Sequence, residues 1–338
     1  MVDWTRTSSR AVRLVGSLAA VPLLAVDKFA QTVSRVGPDG DPYRFHRLLL
    51  PRELLRRVEG MTSSHERAFF EWYARHLFRG DGEIVDLGAW LGSTTVSLAR
   101  GLTRNHRPEA GKRSIYAYDT FLWDEWMRGY ASAELNRRLQ PGDSFLPVFE
   151  ERVQPWRDRV RSRPGDLTRV TWDSGPIEFL LVDAMKSWEL AASILRNFVS
   201  AVRPGGFVLQ QDFCHFWEAW VHPIHFRLRE YLVPVYDVPL SASFLFRLER
   251  PVPEALLEQA LGFDAFERDE IDRAFSWATD IVSGYQRPAI AAAKVRFLHL
   301  AGALDEARHE LESFRAMGLS FHSDLDTVEK ELLSAGDD

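Results

Sequence analysis

The sequence predicts an α/β fold: a mostly parallel sheet flanked by helices, with a terminal antiparallel hairpin and a helical C-terminal extension. Three observations predict it. Short apolar runs alternate with helix-patterned segments between residues 83 and 211. Strands separated by helices pair in parallel, because a long return path brings the chain back to the same end. A glycine-bearing bend joins the first apolar run to a helix, and two β-rich runs near residues 235–248 are close enough to form a hairpin.

Taken in order, Arg6, Arg10 and Arg13 precede an uncharged run over 14–26, broken by Pro22. A membrane-spanning helix needs about 20 apolar residues, so this run is too short to cross a bilayer. A helix packed on the domain or on a partner is the preferred reading. Peripheral membrane or protein contact through residues 1–36 is one alternative, and a signal peptide without a convincing cleavage site is another. Gly37 to Pro42 is a turn-rich break. Ser63-Ser64-His65-Glu66 starts a helix that carries Ala68, Phe69, Trp72, Tyr73, His76 and Leu77 at three-and-four spacing, ending at Gly80-Asp81-Gly82.

Strands are expected over 83–87, 114–118, 160–163, 177–182 and 207–211, with helices over 93–102 and 190–202. Pro204-Gly205-Gly206 reads as a turn into the fifth strand. Runs 235–238 and 243–248, joined by a connection containing Pro239, form the hairpin. From Pro251 the chain turns helical and more polar, and 291–314 looks like half of a tetratricopeptide helix pair, a unit that cannot bury its own face. A helical cap on the α/β domain is preferred there over a partner-binding module. The expected domains are an N-terminal helical arm (1–59), the Rossmann-like α/β domain (60–250) and the helical extension (251–338).

Composition bounds the function. With 46% hydrophobic and 27% charged residues the composition suits a soluble globular protein rather than a disordered or membrane one. A net charge of -6 gives no electrostatic basis for nucleic-acid binding. Cys214 is the single cysteine, which excludes an intrachain disulfide framework and a multi-cysteine zinc site. A reducing cytoplasm is the expected compartment, with membrane association through the arm as the alternative.

The chemistry concentrates in Asp86-Leu87-Gly88-Ala89-Trp90-Leu91-Gly92-Ser93-Thr94. Glycines let the backbone approach a ligand and take positive φ, while hydroxyls at a helix start satisfy free N–H groups or meet a ligand. The spacing is not the G-x-G-x-x-G of dinucleotide binders, and Trp90 leaves less room for a pyrophosphate. Asp119 and Thr120 follow the second strand, where a carboxylate is placed to take both hydroxyls of a ribose. Asp166 follows the third, within reach of an adenine amino group. The bland readings are a strand-to-helix turn for the glycines and turn or cap roles for Asp119 and Asp166.

The D-L-G-A-W-L-G loop, the Y-D-T-F after the second strand and the carboxylates ending the fourth and fifth strands resemble class I S-adenosylmethionine-dependent methyltransferases. They are most similar to the macrocin O-methyltransferase type, which methylates sugar hydroxyls of natural products. Cephalosporin hydroxylase-like proteins share much of the pattern. The resemblance covers roughly residues 60–250 and implies S-adenosylmethionine held by Asp86, Gly88, Trp90, Gly92, Ser93, Thr94, Asp119, Thr120, Asp166 and Asp183. It also implies a magnesium ion on Asp183 and Asp212. The chain departs from that family at Gln211, where a second aspartate would adjoin Asp212, and at Ala184-Met185, which bring no second acid after Asp183.

A sugar hydroxyl is a poor nucleophile until its proton leaves, so a base or a metal is required. His215 is the first choice of base, with Asp212 one turn before it to orient the ring. His222 and His225 read as structural or substrate-facing. Lys186 binds an anionic acceptor or pairs with Asp183. Phe121, Trp123, Trp126 and Tyr130, with Trp90, form packing or apolar walls for a sugar, packing being preferred. The expected activity is methyl transfer to a hydroxyl of a small, sugar-containing molecule. The alternatives are hydroxylase-like chemistry on the same scaffold and a non-catalytic adenosylmethionine-binding scaffold; homo-oligomerisation is left open.

Overall fold

A computed structural model describes residues 42–56, 59–319 and 323–334. The arm's apolar run and nearly all of the turn-rich break therefore lie outside the described residues. No helix among the described residues is long and apolar enough to cross a membrane.

Seven strands form one sheet: β1 Glu83–Leu87, β2 Ile115–Asp119, β3 Val160–Pro164, β4 Ile177–Val182, β5 Val202–Gln210, β6 Leu232–Asp237 and β7 Phe244–Leu248. Their order is β3-β2-β1-β4-β5-β7-β6. β4 runs parallel to both β1 and β5, whereas β7 is antiparallel to β5 and to β6. This is the Rossmann-like sheet with its terminal hairpin. β1 and β4 are buried along their whole length, which is why both read as nearly unbroken apolar runs.

The helices are α1 Leu50–Leu54, α2 Ser64–Trp72, α3 Ser93–Thr103, α4 Ala133–Arg138, α5 Leu146–Val153, α6 Trp188–Asn197, α7 Val221–Leu228 and α8 Glu254–Leu257. They continue with α9 Arg268–Ile281, α10 Arg287–Leu300, α11 Leu304–Ala316 and α12 Ser323–Ser334.

Several boundaries differ from expectation for identifiable reasons. Ser63 caps α2 in a capping box with Glu66, but the helix gives way after Trp72 to a wider turn, with the Phe78 N–H donating to the Tyr73 carbonyl (2.9 Å). Pro204-Gly205-Gly206 is not a turn before β5 but lies inside it. Ile177 pairs with Val202 while Phe179 pairs with Phe207, so the Pro-Gly-Gly stretch bulges out of the ladder. β6 begins earlier than expected and includes Pro234, tolerated because β6 is the edge strand and loses no central ladder bond. α6 starts at Trp188, capped by Ser187, and stops at Asn197.

The described chain divides into two compact units. The first holds the described residues up to Gly80, then Ala89–Ile115 and Phe121–Arg161. Inside it Glu53 and Glu71, both wholly buried, are ringed by Arg56, Arg67, Arg100 and Arg104. The second holds Asp81–Gly88, Tyr116–Thr120 and the chain from Ser162 onward, and with it nearly all of the sheet. Its hydrophobic core is continuous from Val85 in β1 through Ile194 in α6 to Phe275, Phe297 and Leu332 in the C-terminal helices. Trp188 at the start of α6 stacks on Phe266 (5.9 Å) and meets Phe297 edge-on (6.4 Å).

Candidate functional site

Successive strands are stapled together just beyond their carboxyl ends. The Gly165 N–H donates to the Asp119 carbonyl (2.9 Å), and that of Gly88 to the Tyr118 carbonyl (2.9 Å). The Asp183 N–H donates to the Leu87 carbonyl (2.9 Å), and that of Gln211 to the Val182 carbonyl (3.0 Å). These bonds step across five strands and string Asp166, Asp119, Asp86, Asp183 and Asp212 along one rim of the sheet. Open α/β sheets bind ligands at this edge.

The members of the rim differ in freedom. Asp86 is wholly buried in β1, Asp119 is half-buried, and Thr120 beside it is exposed, its hydroxyl 3.4 Å from the Asp119 carboxylate. Asp166 is exposed but accepts the Thr168 N–H (2.9 Å) and hydroxyl (2.8 Å), which hold its carboxyl below the usual range. Its two bonds to Thr168 are those of a turn-stabilising residue.

Gly88 has φ +89°, and a Cβ there would sit 2.7 Å from the Asp183 carbonyl oxygen. The glycine thus lets β1 turn against the end of β4. From Ala89 the loop belongs to the first unit. Trp90 takes φ +40°, a left-handed conformation costing about 1–3 kcal/mol in a residue with a side chain. Gly92, at φ +84°, is the residue before α3, and its N–H closes the loop onto the Ala89 carbonyl (2.8 Å). Ser93 and Thr94 are both buried, and the Ser93 hydroxyl is hydrogen-bonded to that of Thr62. The aromatic insert divides. Phe121 and Trp123 are core, packed on Phe145 and Phe149, whereas Trp126 and Tyr130 are exposed and Trp126 lies 5.9 Å from Trp90.

Beyond β4 and β5 the second unit gathers charge. The Lys186 ammonium bonds the Asp212 carboxylate, lies 3.1 Å from that of Asp183 and 3.5 Å from that of Glu218. Burial raises the Asp183 carboxyl well above the ordinary range, and neighbouring Asp212 adds to it against the pull of Lys186. Burial also raises Glu218, again with Asp212 adding to it. For Lys186, burial alone would favour the neutral amine, but Asp183, Asp212 and Glu218 together overcome it and hold the ammonium firmly charged.

The magnesium ion implied for Asp183 and Asp212 does not fit this arrangement. A lysine already holds the position where the two carboxylates converge, and among the described residues no group of three or more His, Cys, Asp or Glu is disposed to hold a metal. Glu218 is the member that sequence reasoning missed. It lies in irregular chain between β5 and α7, where no periodicity places a side chain.

His215 is about two-fifths exposed, and its Nδ1 accepts the Trp217 N–H (3.3 Å). Burial lowers its affinity for a proton, partly offset by Asp212. Its ring is thus oriented by the Trp217 backbone. His222 and His225 are buried. His222 has Nε2 2.8 Å from the Phe213 carbonyl and Nδ1 3.1 Å from that of Ala219, so its ring bridges the turn after Asp212, and His225 stacks on Phe246 (4.5 Å).

Residues 85–213 match the family model described as a methyltransferase domain. No curated protein matches the chain. Among solved structures, the O-methyltransferase NovP is similar over 57% of this chain and 84% of its own, at 16% identity and a TM-score of 0.42. The SAH-bound Podospora anserina methyltransferase PaMTH1 is similar over 74% and 98%, at 15% identity and a TM-score of 0.38. An O-methyltransferase from Bacillus cereus in complex with SAH is similar over 67% and 97%, at 14% identity and a TM-score of 0.38. Over residues 85–213, which hold most of β1 and all of β2 to β5, the chain matches a methyltransferase domain, the catalytic part of a methyl-transferring enzyme.

Proposed function

We propose that the enzyme takes its methyl group from S-adenosylmethionine and delivers it to a hydroxyl of a small, uncharged molecule, a sugar or glycosylated natural product being the class that the resemblance favours. The observation that carries this reading is the acidic rim, which ends in one lysine surrounded by three carboxylates. A rim of carboxylates favours a cationic sulfonium, and a half-buried carboxylate at the end of β2 suits the two hydroxyls of a ribose. Asp86, Gly88 and Asp119, all in the second unit, would hold the cofactor. When bound, adenosylmethionine supplies a methyl group already activated for displacement.

What remains for the protein is to align the acceptor oxygen and take its proton. Charge decides the roles. Lys186 stays protonated, so it donates a hydrogen bond to the oxygen rather than removing its proton. His215 accepts at Nδ1, which puts the proton of the neutral ring on Nε2, so that nitrogen is a donor too. The carboxylates are left as the base. Asp183 and Glu218, whose proton affinity burial raises above that of an ordinary carboxylate, are the better bases of the three. Asp212, bonded to the ammonium, sets the geometry of the group.

Titration with adenosylhomocysteine tests the cofactor half. Asp119→Ala should weaken binding by about tenfold or more, equivalent to at least about 1.4 kcal/mol. Transfer from methyl-labelled adenosylmethionine to a panel of glycosylated alcohols tests the other half. There Asp212→Asn should lower turnover by about a hundredfold or more, with adenosylhomocysteine affinity nearly unchanged. Wild-type affinity in Asp119→Ala, or no binding by the parent enzyme, rules out the assignment.

A further inference from the structure

We propose that Lys186 is a built-in replacement for a divalent cation, so that the acceptor end of the rim works without metal. This rests on the reading of the rim as the methyl-transfer site. The geometry carries it. The ammonium touches carboxylates from two adjacent strand ends, Asp183 after β4 and Asp212 after β5, and a third, Glu218, from the segment before α7.

Those three oxygens approach Lys186 from different parts of the chain. A magnesium ion needs near-octahedral oxygen ligands at about 2.0–2.1 Å and gives up its waters reluctantly. It can use Asp183 and Asp212 together only after the lysine has left. Leaving is opposed, because removing one partner from a charge cluster strands the other charges without compensation.

The substitution is not neutral in its chemistry. A metal polarises a bound oxygen as a Lewis acid, whereas an ammonium offers hydrogen bonds from a single positive charge. Three carboxylates outnumber that charge, so the cluster stays acidic overall. It favours a neutral hydroxyl acceptor and disfavours phosphate- or carboxylate-bearing ones. An anionic acceptor on Lys186, one of the two roles open to it in the sequence, is therefore disfavoured.

Manganese provides the probe, because its resonance signal falls when the ion binds. The parent enzyme should leave the signal of added Mn2+ unchanged at millimolar concentration. Lys186→Met frees Asp183 and Asp212 to share one ion that keeps several of its waters, and should bind close to one equivalent, with affinity higher by on the order of tenfold or more. Lys186→Arg, which keeps the charge, should behave as the parent; Lys186→Gln stands in for the methionine variant should that one fail to fold. Tight Mn2+ binding by the parent overturns the proposal, as does a folded Lys186→Met or Lys186→Gln protein that binds no ion. An adenosylhomocysteine titration run alongside separates the two conclusions. Loss of cofactor binding with the manganese result intact defeats the proposed function alone, and the converse defeats only the role of the lysine.

Discussion

At φ +89°, Gly88 carries the chain out of β1 in the left-handed region, with the Asp183 carbonyl filling the space where a Cβ would go. Gly88→Ala meets both obstacles at once, a disfavoured dihedral and a backbone clash, and should cost about 2–3 kcal/mol in urea unfolding. An unchanged midpoint would contradict the packing described here. The glycine is legible in the sequence as part of a strand–bend–helix signal, but its partner is not. The motif suggests room for a ligand, whereas the atom nearest the missing side chain belongs to Asp183, just after β4 and nearly a hundred residues away in sequence. Glu218 is the opposite case. Nothing in its neighbours marks it, because its place on Lys186 depends on how an irregular segment folds back after β5. Single residues are thus readable where they serve a local backbone need, and hidden where three distant segments must meet.

Among the elements, α6 is tied directly to the charged cluster, since its cap residue follows Lys186. The Ser187 side chain accepts the Leu190 N–H (3.2 Å), and the helix buries Ala191, Ile194 and Leu195. Ser187→Ala should cost about 1 kcal/mol, the usual worth of such a cap, and lower the melting temperature accordingly. A melting curve identical to that of the parent would show that the cap is not holding the helix start. Strand and helix identities were largely readable from periodicity, and β1 and β4 matched residue for residue. The errors fell where tertiary pairing overrides local chemistry. Pro204-Gly205-Gly206 carries strong turn residues, yet pairing with β4 on either side draws it into β5 as a bulge. Pro234 argues against a strand, yet β6 lies at an edge where its missing donor is tolerated.

For the whole molecule, acid should be the sensitive direction. Burial lowers His222 to about 4 and His225 to about 3. An unfolded histidine titrates near 6.5, so between roughly pH 6.5 and those values the unfolded chain binds protons that the folded one refuses. Stability contributed by each neutral ring is therefore complete above about pH 6.5 and declines on acidification by roughly 1.4 kcal/mol per pH unit per histidine. Thermal melts at pH 7 and pH 5 check this; equal midpoints would mean that the rings are not held neutral. The parallel order of the sheet was readable from alternating strands and helices. The continuity of one core from β1 to α12 was not, because amphipathic helices after Pro251 look alike whether they dock on a sheet or stand apart. That continuity has a consequence during synthesis. Trp188, Phe213 and Phe246 leave the ribosome well before the helices that cover them, so the nascent chain must carry an oily face until the helices after Pro251 emerge.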